Sequence, residues 1–234
     1  MGSRQIDGVL PGAKYLQATA PPPRLPPPLP TGLPELDALL PGGGLAWGSV
    51  VELMAPRGLG LSTSLALALC AAVQRQGRGW CAFVDPTRSL HPAGVEACGV
   101  DLGRLLVVRP PVDGLGRAAL RVAQSRQFSA VVVDTGGVPG AVFTDSLGPW
   151  VAQARRLATA SEGGAAISVL LTHREMSRTM PLPVAERIEL TQERPGRLLL
   201  RVHRHRYGLP SEWQACRFPS QLRSPLVAPA HEAS

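Results

Sequence analysis

Ser49-Val50-Val51-Glu52-Leu53-Met54-Ala55-Pro56-Arg57-Gly58-Leu59-Gly60-Leu61-Ser62-Thr63-Ser64-Leu65-Ala66-Leu67-Ala68-Leu69 runs from a short β-type segment through a glycine-bearing turn into a helix with apolar residues on most of its faces. That is the layout of a phosphate-binding loop, in which glycines let backbone N–H groups point inward and a helix N-terminus adds partial positive charge. The full signature is G-x-x-x-x-G-K-[ST]. Here Ala55 stands at the first glycine, Gly60 at the second, Leu61 at the lysine and Ser62 at the hydroxyl. An aliphatic side chain cannot neutralise a phosphate, and the only lysine of the chain is Lys14. The shape of a nucleotide site is present without its main charge. An anion could still be held by Arg57, Gly58, Gly60, Ser62 and Thr63.

The surrounding chain, 234 residues with 44% apolar and 18% charged side chains, has the balance of one soluble domain with tails. No apolar run reaches the roughly 18 residues that cross a bilayer, and the opening residues lack the apolar core of a secretory signal. A cytoplasmic protein without membrane contact is expected. Cys70, Cys81, Cys98 and Cys216 are scattered and read as reduced structural thiols. The net charge of +7 is almost wholly arginine, since one lysine among 24 basic residues leaves 23 arginines. Such a surface suits acidic partners or nucleic acid.

Taken in order, residues 1–30 read as a proline-rich disordered arm and 31–40 as a short helix stopped by Pro41-Gly42-Gly43-Gly44. Strands are expected at 49–54, 80–84, 105–108, 130–134 and 167–171. Helices are expected at 62–76, 92–98, 115–127 (Leu120 and Val122 inward) and 150–160. Continuous apolar strands between helices predict a parallel sheet covered on both faces. Alternating stretches at 187–191, 198–206 and 213–218 predict an antiparallel end, and residues 219–234 a flexible tail.

Ligands bind at the carboxyl ends of strands in such sheets. Four segments reach that edge: 55–63, Asp85 to Arg88, Asp134-Thr135 and Thr172-His173. Asp134 either holds a Mg²⁺ water beside a phosphate loop or caps the following turn; Asp85 could take either part. Nothing resembles a Ser/His/Asp set, and no metal-ligand cluster is evident. Arg204 and Arg206 share one face of their strand by alternation, and His203 and His205 the other. With Arg201 they offer a basic row for a partner's acidic surface or a phosphate backbone.

Leu29-Pro30-Thr31-Gly32, Leu36-Asp37, Pro41-Gly42-Gly43-Gly44, Gly48 and Glu52-Leu53 resemble the opening of RecA-like recombinases. The resemblance is closer to the ImuA-type, or SulA-like, branch of bacterial SOS-mutagenesis cassettes. Ala82-Phe83-Val84-Asp85, the stretch from Gly99 to Pro110, and Val131-Val132-Val133-Asp134 continue it, over about residues 29–218 in all. It implies a RecA-like P-loop NTPase fold, mainly parallel, with a C-terminal antiparallel hairpin, over residues 31–218. By position, the resemblance puts Leu61 at the phosphate-loop lysine, Thr87 at the water-activating acid and His173 at the nucleotide-sensing glutamine. Asp134 is kept, and Arg204 and Arg206 fall where recombinases reach a neighbour's nucleotide.

The resemblance implies a non-catalytic adaptor in the SOS DNA-damage response, supporting error-prone translesion synthesis. Its implied partners are a Y-family polymerase-like protein of the cassette, an error-prone replicative-type DNA polymerase and the RecA recombinase. No cofactor is expected, or ATP with Mg²⁺ if the site still works. Two other functions stay open: a DNA-dependent ATPase or recombinase-like protein on single-stranded DNA, and a SulA-like cell-division inhibitor.

Overall fold

The computed structural model describes residues 27–56, 58, 60–135, 147–162, 166–173, 183–194, 197–205 and 210–217. Eight strands form one mixed sheet: β1 (Val50–Ala55), β2 (Trp80–Val84), β3 (Leu105–Val108), β4 (Phe128–Asp134), β5 (Ile167–His173), β6 (Glu186–Arg194), β7 (Arg197–His205) and β8 (Gln214–Cys216). Their order across the sheet is β3-β2-β4-β5-β1-β6-β7-β8. Pairing is parallel from β3 to β6 and antiparallel from β6 through β8. This is the α/β architecture expected, with the antiparallel end in place.

Five α-helices are described: α1 (Pro34–Asp37), α2 (Leu61–Arg75), α3 (Pro92–Ala97), α4 (Leu115–Gln124) and α5 (Leu147–Glu162). The sheet's two faces carry two separate apolar clusters. One gathers Leu36, the buried side of α2, Val95 of α3 and the strand residues Val51, Leu53, Val132 and Val169. The other gathers Leu115, Ala119, Ala123, Ala154 and Leu157 against Val131, Val133 and Leu170. Alternate residues of β4 therefore serve opposite clusters, as strand geometry demands. Residues 64–74 of α2 are buried without interruption, which explains a helix apolar nearly all round.

Three expectations need correction. Leu120 is half-buried at the rim of α4; the residues that point inward are Leu115, Ala119 and Ala123, with Val122 partly buried beside them. The helix expected over 31–40 is α-helical only from Pro34 to Asp37. Before it, Thr31 donates its backbone N–H to Asp37 Oδ1 at 2.7 Å, and its hydroxyl accepts from Leu33 N at 3.2 Å. Those side-chain bonds compete with a helical first turn. Leu29, on the arm side of the expected boundary, is buried and bridges to Leu45. A Cβ on Gly44 would lie 2.3 Å from the Leu29 carbonyl oxygen, so only glycine lets the two backbones meet. The rest of the arm and residues 219–234 lie outside the described residues.

Two long-range polar ties set the frame. Gln74, buried at the end of α2, donates to the carbonyls of Asp101 and Arg104 and accepts from Asp101 N at 2.8 Å. Asp101 in turn caps the 3-10 turn Leu102–Arg104 that delivers the chain into β3. At the far edge, Cys216 of β8 lies 3.6 Å from Glu35 of α1. Burial and that carboxylate push its thiol up to about 12.

Candidate functional site

Four strand ends lie side by side at the carboxyl edge, in the order β2, β4, β5, β1. Ala55 is in register with His173, and Asp134 with Leu171. Asp85 follows β2 directly, next to Asp134. The site candidates on the strands thus converge on one edge, as the parallel reading requires.

The turn after β1 opens α2 as expected. Gly60 caps the helix with φ of 61°, Gly58 has φ of 78°, and Ser64 N donates to the Gly60 carbonyl at 2.9 Å. Ser62 and Thr63 are half-buried in the first turn, where backbone N–H groups lack intrahelical partners. Leu61 packs against the larger apolar cluster rather than forming part of a polar lining. Arg57 and Leu59 lie outside the described residues. The described part of the loop therefore offers amides and hydroxyls and no cation. At the position where the signature places its lysine, the described loop presents the aliphatic Leu61.

Asp85 is fully buried and occupied by its own loop. Its Oδ1 accepts from Ser89 N at 2.9 Å and from the Ser89 hydroxyl at 3.3 Å, its Oδ2 from Leu90 N at 3.2 Å, and Arg109 Nε lies 3.6 Å away. Of the two parts considered for it, the cap is the one the geometry displays. Asp134 is buried at the end of β4. The Thr87 hydroxyl lies 3.2 Å from Asp85 Oδ1 and 3.4 Å from Asp134 Oδ2. Having a single proton, it donates to one of them at a time. The Thr87 hydroxyl thus spans two carboxylates, those that follow β2 and close β4. Among the described residues, no group of three or more His, Cys, Asp or Glu is placed to hold a metal.

The basic strand is less free than alternation suggests. Arg201 donates through Nε to Glu189 Oε2 at 2.7 Å, with a second nitrogen at 2.6 Å, and its guanidinium stacks 4.6 Å above Trp213. His203 Nδ1 lies 3.5 Å from the other oxygen of Glu189. Arg201 is thus held within the sheet, which breaks the expected three-arginine row. A register shift between Arg187 and Ile188 leaves Arg204 across from Arg187. Arg206 lies outside the described residues.

Sequence reasoning missed the buried pair behind this edge. Glu52 of β1 accepts from Arg187 Nε at 2.6 Å and from the Thr172 hydroxyl at 2.8 Å, all three side chains buried. Its signal was visible: one carboxylate in an otherwise apolar strand demands a partner.

A glycine turn between β1 and α2, a carboxylate closing β4 and an antiparallel extension beyond β6 define a RecA-like α/β domain of the phosphate-loop class. The family model described as the RecA N-terminal domain matches residues 27–156, and the chain belongs to that family. In fold it is similar to the crystal structure of the RadB recombinase, with a TM-score of 0.66 and 19% sequence identity over 83% of this chain and 97% of that one. Among the described residues no helix is long and apolar enough to cross a membrane.

Proposed function

We propose that this RecA-family domain works in DNA repair as a non-catalytic adaptor of the ImuA-type, SulA-like branch, supporting error-prone translesion synthesis after DNA damage. The observation that carries this reading is Leu61, whose partly buried side chain packs against the apolar cluster at the position where an ATPase places its phosphate-binding lysine. Losing a charge-assisted phosphate contact forfeits about 1.5–3 kcal/mol, and Thr87 in place of the water-activating acid removes rate as well. The fold is then a platform, and its partners are the Y-family polymerase-like protein, the error-prone replicative-type polymerase and the RecA recombinase. Arg204 and Arg206 are assigned to partner contact; Arg201, held by Glu189, is not.

Affinity capture of the full chain from DNA-damaged cells tests the assignment. The polymerase-related partner should co-purify with the native chain and be lost with Arg204→Glu/Arg206→Glu, while the melting temperature stays unchanged. A double variant that keeps this partner but loses single-stranded DNA would give the strand to DNA instead. Capture of a division protein alone would favour the SulA-like inhibitor.

A recombinase-like, DNA-dependent ATPase is the second reading. It is favoured by Asp134, which stays buried at the end of β4 beside the loop-opening edge.

A further inference from the structure

The helical layer over the smaller apolar cluster has an outer surface that neither the candidate nucleotide edge nor the basic strand uses. Helices α4 and α5 approach closely where a Cβ on Gly116 would touch the Gln153 side chain at 3.2 Å. Between the same two helices lies a groove of about 610 Å³, lined by Leu120, Gln124, Arg126, Arg155, Arg156 and Thr159. Arg117 and Arg121 belong to the same stripe of α4 as Leu120 and Gln124, at three- and four-residue spacing. All five arginines are exposed, and none forms an ion pair among the described residues. Helix α4 contains no carboxylate, and α5 has only Glu162 at its last position. The five positive charges therefore outnumber the one carboxylate of the two helices, with Asp113 standing four residues before Arg117.

We propose that the α4–α5 groove is a docking surface for the phosphate backbone of duplex DNA, separate from the sheet edge and independent of any nucleotide. Arginine presents a planar fork that grips phosphate oxygens in pairs. Gln124 and Thr159 add neutral hydrogen-bonding groups of the kind that position a backbone without reading bases. An acidic protein partner fits less well, because protein interfaces are centred on apolar or aromatic anchors. The exposed large apolar residues among those described, Trp80, Leu102, Leu106 and Val112, do not line this groove. Its polar, cationic character is that of a protein–DNA contact. Among the described lining residues none is aromatic, so they offer no platform for base stacking on single strands.

The test is fluorescence anisotropy of the full chain on a short labelled duplex over a salt series. Arg155→Ala/Arg156→Ala removes two groove charges, and Arg197→Ala/Arg217→Ala removes two exposed charges at the antiparallel end of the sheet, one opening β7 and one just past β8. The groove variant should bind about tenfold or more weakly at low salt, and its log–log salt slope should shrink by about 2. The control pair should stay close to the native chain, and circular dichroism should report an unchanged fold for both. Equal weakening by the two pairs, or no duplex binding by the native chain at low salt, would overturn the proposal. Because the readout is duplex binding alone, failure here leaves the adaptor reading standing, and loss of that reading leaves this one.

Discussion

The Thr87 hydroxyl has one proton and two carboxylate neighbours, Asp85 and Asp134. That arrangement suits a structural linker better than a catalyst, since the hydroxyl stabilises negative charge and cannot take a proton from water at neutral pH. Removing it leaves Asp134 and Asp85 facing each other with one donor fewer. Thr87→Val, nearly isosteric, should lower stability by about 1.5–3 kcal/mol, the range for hydrogen bonds to charged groups. Thr87→Ser should recover most of it. Urea unfolding reads the difference; a Val variant as stable as the native chain would show that the hydroxyl links nothing. At this scale the sequence was a partial guide. It singled out Leu61, Thr87 and Asp134, but not that Leu61 would pack, partly buried, against the larger apolar cluster or that Arg201 would be clamped by Glu189 and Trp213. Those contacts join different elements of the fold, and local spacing does not encode them.

At the scale of elements, the strands Trp80–Val84 and Leu105–Val108 were legible to the residue, because short apolar runs stand between glycine, proline and polar punctuation. Helix α4 was legible in its start at Leu115 but not in its end, expected at 127 and found at Gln124, nor in its facing. Its alanines, not its bulkier Leu120, meet the sheet, because the small side chains let the helix sit close while Leu120 borders the groove. The bond between β1 and β6 was not legible, since Glu52 and Arg187 lie 135 residues apart. Both side chains are buried, so removing either strands the other without its charge partner. Glu52→Leu and Arg187→Met should each cost about 3–5 kcal/mol, and the double variant markedly less than their sum. A double-mutant cycle by urea unfolding measures the coupling. Simple additivity, with each single change below about 1 kcal/mol, would show that the parallel join of β1 to β6 does not depend on this pair.

At the scale of the molecule, the order β3-β2-β4-β5-β1-β6-β7-β8 gathers a phosphate-loop turn, Asp85, Asp134 and His173 on one edge, and Leu61 stands in that turn where the signature has its lysine. Steady-state hydrolysis of Mg²⁺-ATP by the purified full chain, with and without single-stranded DNA, is the direct assay. Turnover should stay at background, and Asp134→Ala and Leu61→Lys should leave it there, as the proposed non-catalytic reading requires. Sustained Mg²⁺-dependent turnover by the native chain, abolished by Asp134→Ala, would contradict the assignment of this edge as a non-catalytic platform.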